Sequence, residues 1–138
     1  MIKKILVALD GSMNSFRGLN EAIIIARNSQ CTITGVYVTP LSPPASEEQK
    51  TYIKNVLLKN ANEFMKKAET RCAQNGILFN TKILHGDNGP KIVRFGQDRN
   101  FDLIVIGSRG MGSIKELFFG STSNYILHKS KIPVMIVK

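Results

Sequence analysis

"DLIVIGSRGMGSIKELFFGST", residues 102–122, runs from four consecutive apolar residues straight into a stretch holding four glycines. An uninterrupted Leu-Ile-Val-Ile run is the pattern of a strand covered on both faces, as in a parallel sheet; a strand with one wet face would alternate. Two further runs share the pattern, "KILVALD" (4–10) and "IPVMIV" (132–137). "CTITGVYV" (31–38) and "LFNTKILHG" (78–86) are less uniformly apolar but rich in β-branched and aromatic residues, which brings the expected strands to five.

Helical periodicity fills the intervals. Phe16, Leu19, Ile23 and Ala26 recur at helical spacing behind Ser12 and Asn14, either of which could cap the start. Ile53, Leu57, Ala61, Phe64, Ala68 and Cys72 form one apolar stripe closed by Asn75-Gly76, which predicts a long helix with a buried face. A third helix is expected to begin near Pro90, whose fixed φ suits a first turn, and to carry Ile92, Val93 and Phe95 inward. A fourth follows Gly120-Ser121 and contains Tyr125, Ile126 and Leu127. Strict strand-helix alternation predicts an α/β fold: a doubly wound, Rossmann-like five-stranded parallel sheet with helices on both faces and right-handed crossovers. The one linker-like stretch, "TPLSPPASEE" (39–48), is too short to divide domains, so residues 1–138 are expected to form a single domain.

The net charge is +9, from 19 Lys and Arg against 10 Asp and Glu, which favours phosphorylated ligands or polyanions as partners. The excess lies mostly in residues 70–138, with 10 basic and 4 acidic side chains, the half that holds the glycines. No basic run exceeds two residues and the aromatic residues do not interleave with one, so nonspecific nucleic-acid binding ranks last among the readings. No apolar run approaches the roughly 18 residues of a membrane span, and the amino terminus turns charged before a signal core could form. A cytoplasmic protein without a membrane partner is the expectation. Cys31 and Cys72 lack a C-x-x-C arrangement and are expected to be reduced and buried, while His85 and His128 are too few for a histidine metal site.

Doubly wound sheets bind ligands beyond the carboxyl ends of their strands, where the strand order reverses. That rule points to the loops after residues 9, 38 and 106. Gly107 stands there, followed at fixed intervals by Gly110, Gly120 and Ser121. Glycines admit phosphate oxygens close to backbone amides, and Ser121 would add a hydroxyl at the positive end of a helix dipole; turn-shaping alone is the alternative role for the glycines. A P-loop is excluded because Ser113 and Ile114, not Lys and Ser or Thr, follow Gly112. A dinucleotide fingerprint is excluded because the order is G-x-x-G-x-G and follows the fourth strand. Asp10, in "ALDGS", could accept bonds from a ribose or hold a metal ion bridging phosphates, or could cap the next helix. Val38 could wall a base or be a core valine; Arg109 and Lys115 could neutralise phosphate or be solvated loop cations. No general base and no nucleophile paired with histidine is evident, so hydrolysis would be weak at most. Pro133 suits the start of an edge strand, and the apolar "VMIV" behind it would be protected by pairing with a second copy.

Over essentially its full length the sequence resembles the universal stress protein family. The resemblance is carried by "KKILVALDGS", "GDNGPKIVRF", "DLIVIGSRGMGS", "GSTSNYILHKSKIPVMIVK" and the G-x2-G-x9-G-S/T spacing of the ATP-binding branch. It implies an adenine nucleotide alpha hydrolase-like fold, a homodimer through the last strand (Pro133 to Val137), and ATP, with Mg or Mn, as the ligand. It implies Asp10 at the ribose and metal, Val38 at the adenine, and Gly107, Arg109, Gly110, Gly120, Ser121 and Thr122 around the phosphates. The implied function is a nucleotide-dependent stress-response switch or adaptor. The alternative is an interaction protein binding AMP, a cyclic nucleotide or no nucleotide. "GDN" departs from the family's more usual "GDP", a change expected to affect only the third helix start and not the nucleotide site.

Overall fold

The structure, a computed structural model, describes residues 1–41, 43–109 and 120–138. Gly110 and Lys115 lie outside the described residues. Among the described residues nine elements alternate: β1 (Lys4–Ala8), α1 (Met13–Ser29), β2 (Thr32–Thr39), α2 (Glu47–Gln74), β3 (Phe79–His85), α3 (Asn88–Asp98), β4 (Leu103–Gly107), α4 (Ser121–Lys129) and β5 (Val134–Val137). The strands form one sheet in the order β3-β2-β1-β4-β5, with every neighbouring pair parallel. The order reverses between β1 and β4, which is where the ligand rule for such sheets looks.

Each face of the sheet buries its own cluster. Ile5, Val7, Ile33, Leu103 and Val105 meet Leu19, Ala22 and Ile23 of α1 and Met65, Ala68 and Cys72 of α2 on one side. Leu6, Val36, Val38, Ile104 and Ile106 meet Ile92 and Val93 of α3 and Ile126 of α4 on the other. β1 and β4, the central pair, thus have side chains buried on both faces, as their uninterrupted apolar runs require. β5 carries a similar run for another reason: it is an edge strand, and all four of its residues are half-buried. It starts two residues later than expected, at Val134, after Pro133, whose carbonyl accepts from Ile104 N–H at 3.0 Å.

Three helical expectations need correction. α2 has 28 residues, about 42 Å of helix, while its neighbour β2 has eight, about 26 Å of strand. Its first turns therefore run past the sheet: Ile53 is exposed and Leu57 half-buried, and the stripe becomes core only from Ala61 onward. In α4 only Ile126 of the expected apolar trio is buried, and Tyr125 and Leu127 are exposed. Phe95 of α3 is half-buried and packs against Phe101 with ring centroids 5.6 Å apart. Pro90 is the third residue of α3, still within its first turn.

Both cysteines are free and buried. Burial pushes the Cys72 thiol up to about 11, which keeps it protonated. Among the described residues no helix is long and apolar enough to cross a membrane.

At the amino edge of the sheet Asp102 accepts the backbone N–H groups of Lys3 and Lys4, both at 2.9 Å, and these bonds hold its carboxyl below the ordinary value of 3.8. A depressed carboxylate contributes stability above its unfolded pKa and loses it as the pH falls through the folded value. Acid unfolding of Asp102→Asn, followed by circular dichroism, is therefore expected to show a shallower loss of stability below about pH 4 than the parent chain; superimposable acid limbs would remove Asp102 from that role.

Candidate functional site

Beyond the carboxyl ends of β1, β2 and β4 lies a cavity of about 380 Å³, within the roughly 300–1,000 Å³ of small-molecule sites. Asp10, Val38, Gly107, Arg109, Gly120, Ser121 and Thr122 all line it. Residues that the sequence scatters over more than a hundred positions thus meet at one edge of the sheet, because parallel strands deliver their carboxyl ends to the same side.

The turn from β1 into α1 builds one wall. Asp10 Oδ1 accepts Ser12 N–H at 2.9 Å, so this carboxylate organises the turn before the helix. The cap itself is Ser12, whose Oγ accepts Ser15 N–H at 3.1 Å. Gly11 takes φ +86, and a Cβ there would lie 2.9 Å from the ring of Phe64, so both backbone and space require glycine.

Asn14, in the first turn of α1, was read from sequence only as an alternative cap. The structure gives it larger work. It is 8 % exposed; its Nδ2 donates to Val137 O at 3.1 Å and its Oδ1 accepts Arg109 N–H at 2.7 Å. The side chain passes so close to Gly107 that any Cβ at 107 would overlap Asn14 Oδ1. Gly107 is glycine for a packing reason, whatever it does for a ligand.

Backbone donors can be accounted for one by one. Ser108 N–H goes to Val137 O at 2.8 Å, Arg109 N–H to Asn14, and Gly120 N–H to Ser108 O at 2.8 Å. Ser123, buried, donates its hydroxyl to Ser108 O at 3.2 Å and to Gly120 O at 3.0 Å. These amides hold the loop together, so the expectation that the glycine stretch presents them outward needs revision at 108, 109 and 120. The amides at the start of α4 are different. Gly120 caps that helix without a side-chain bond, and the N–H groups of Ser121 and Thr122 have no partner within the helix. They form the positive end of the helix dipole on the cavity wall.

Another part of the lining is apolar. Val36, Val38, Ile92 and Ile106 belong to the core cluster beneath α3 and α4 and surface in the cavity. Tyr37 joins from the other face; burial first, and the Asp10 carboxylate second, push its phenol above 10.0, which keeps it a neutral hydroxyl. Strand alternation at the end of β2 was the signal for Tyr37, since the neighbour of Val38 must face the α1 side at the same strand end. Asn88 also lines the cavity. The first residue of α3, where the sequence departs from "GDP", thus forms part of the cavity wall as well as starting the helix.

The sequence matches the profile of the universal stress protein family over residues 1–138. The chain belongs to that family. Universal stress protein MJ0531 of Methanocaldococcus jannaschii is 30% identical over 142 residues, covering all of this chain and 83% of the relative. Universal stress protein YxiE of Bacillus subtilis is 28% identical over 154 residues and both chains are fully covered. Among solved structures, MJ0577 of Methanocaldococcus jannaschii superposes with a TM-score of 0.87 at 26% identity, covering 100% of this chain and 96% of that one. Three more distant structures share the fold: a universal stress protein in complex with cAMP (TM-score 0.77, 23% identity), one from Archaeoglobus fulgidus in complex with dAMP (0.74, 21%) and one from Arabidopsis thaliana with AMP bound (0.75, 21%). They cover 97%, 98% and 91% of their own chains and at least 99% of this one.

Removing the Asn14 carboxamide takes one of two donors from the Val137 carbonyl and the side-chain acceptor from the Arg109 amide, both in part-buried bonds. Asn14→Ala is expected to lower stability by about 1–3 kcal/mol in urea unfolding; a loss under about 0.5 kcal/mol would mean that this side chain does not hold the β4 and β5 ends.

Proposed function

We propose that the cavity binds ATP and that its occupancy makes the chain a stress-response switch or adaptor, at most a weak ATPase. The observation that carries this reading is that one cavity is lined both by apolar side chains, Val36, Val38, Ile92 and Ile106, and by the first turn of α4 with its unpartnered helix amides. A purine ring suits the first, and a polyphosphate suits the second, where helix amides and dipole favour anions. In this reading Val38 walls the adenine and Asp10 takes the ribose hydroxyls. Gly107, Arg109, Gly120, Ser121 and Thr122 surround the phosphates, and the motif assigns Gly110 with them.

Asp10 is the one carboxylate lining the cavity among the described residues, and no group of three potential metal ligands occurs among them. Mg or Mn would therefore arrive on the phosphates, with Asp10 supplying one further oxygen, as suits ions that keep most of their water. The reading extends to a single domain over residues 1–138 that pairs with a second copy along β5, whose half-buried apolar side chains form an edge with no further strand of the described chain beside it.

A second reading, AMP or a cyclic nucleotide as the resident ligand, draws on the relatives that hold AMP, dAMP and cAMP. Mass spectrometry of ligand released from freshly purified protein separates the two.

Gly120 provides the direct test. It has φ −67, and a Cβ there would meet Ser108 O at 3.5 Å, an ordinary contact, so the backbone accepts a side chain that would fill the cavity. Gly120→Val is expected to cost only about 1 kcal/mol in stability through the poorer cap while abolishing ATP binding in calorimetry. Equal ATP affinity for both proteins would remove this site.

A further inference from the structure

We infer that Asn88 selects the base, reading the N6 and N7 edge of an adenine ring with its side-chain carboxamide. The inference rests on the nucleotide-site reading and deepens it. Asn88 is the first residue of α3, and Ile92 stands one turn further along the same helix face. Both line the cavity. Asn88 therefore adjoins Ile92, one of the apolar residues of the lining.

Its position is fixed from two sides. Gly86, two residues earlier, donates its N–H to Thr39 O at 3.0 Å, which ties the turn before α3 to the end of β2, directly after Val38. Gly89, the next residue, presses against Tyr125 of α4 so closely that a Cβ there would lie 2.6 Å from the ring. The start of α3 is thus clamped between β2 and α4, leaving Asn88 mainly its side-chain rotamers. Its carboxamide makes no hydrogen bond to another described residue, so donor and acceptor are both available to a ligand.

The chemistry then selects among purines. Adenine offers an amino donor at N6 beside an acceptor at N7, a pair that a carboxamide matches with Oδ1 and Nδ2 together. A 6-oxopurine offers two acceptors on that edge, and a carboxamide can serve only one of them.

AMP and IMP share ribose and phosphate and differ at the 6-position, and they are the probes. Calorimetric titration of the parent chain is expected to favour AMP over IMP by about five- to hundredfold. In Asn88→Ala, an exposed position whose loss leaves the core intact, AMP loses two bonds and IMP one, so AMP affinity should fall further than IMP affinity and the ratio between them should approach one. Asn88→Asp keeps the partner for N6 but sets a carboxylate against N7, and should weaken AMP as well. An AMP-to-IMP ratio that is the same in the parent and in Asn88→Ala overturns the inference and leaves the nucleotide site standing. A parent chain that binds neither nucleotide overturns the site itself and the inference with it.

Discussion

The first turn of α1 reaches the ends of β4 and β5 because position 107 carries no side chain. Asn14 occupies the space that a Cβ would take and bonds Val137 on one strand and Arg109 beyond the other. The carbonyl of Val137 accepts Ser108 N–H as well, and that of Ser108 accepts Gly120 N–H and the Ser123 hydroxyl. One continuous set of bonds therefore joins the edge strand, the end of β4, α1 and α4. The links are part-buried or buried, where an unmade bond carries a cost, and the set braces the loop.

That bracing has a chemical consequence. Amides used to brace the loop cannot also hold a ligand; among the described residues of the cavity wall, the donors that helix geometry leaves without internal partners are those at the start of α4. The cavity inherits its two characters from its two sources. Core side chains of β2, β4 and α3 continue into it as an apolar wall, and a helix terminus faces it as a polar one. A molecule with one flat apolar part and one anionic part fits both.

Much of this was legible in the residues. β1 and β4 announce themselves by unbroken apolar runs because both of their faces are covered, and Asp10, Val38 and Gly107 converge because parallel strands end on one side. β5 shows how the same run can have another origin, in an edge that is only half covered by its own chain. For α2, periodicity reported which side of the helix is apolar but carried no information on how far the sheet extends beneath it. Asn14 was illegible in its true role, since its partners lie 95 and 123 residues away and no local pattern encodes them. Asn88 was passed over because a helix-start argument considers only what the backbone needs there.

The bond between Asn14 and Val137 joins residues 123 positions apart, so the acceptor is synthesised well after the donor. On the ribosome the wall around Asp10 exists early, yet the brace that orders the loop behind β4 has no acceptor until β5 has left the exit tunnel. The nascent chain must therefore hold the turn from β1 into α1 without this brace until β5 follows, and the loop behind β4 is ordered only then.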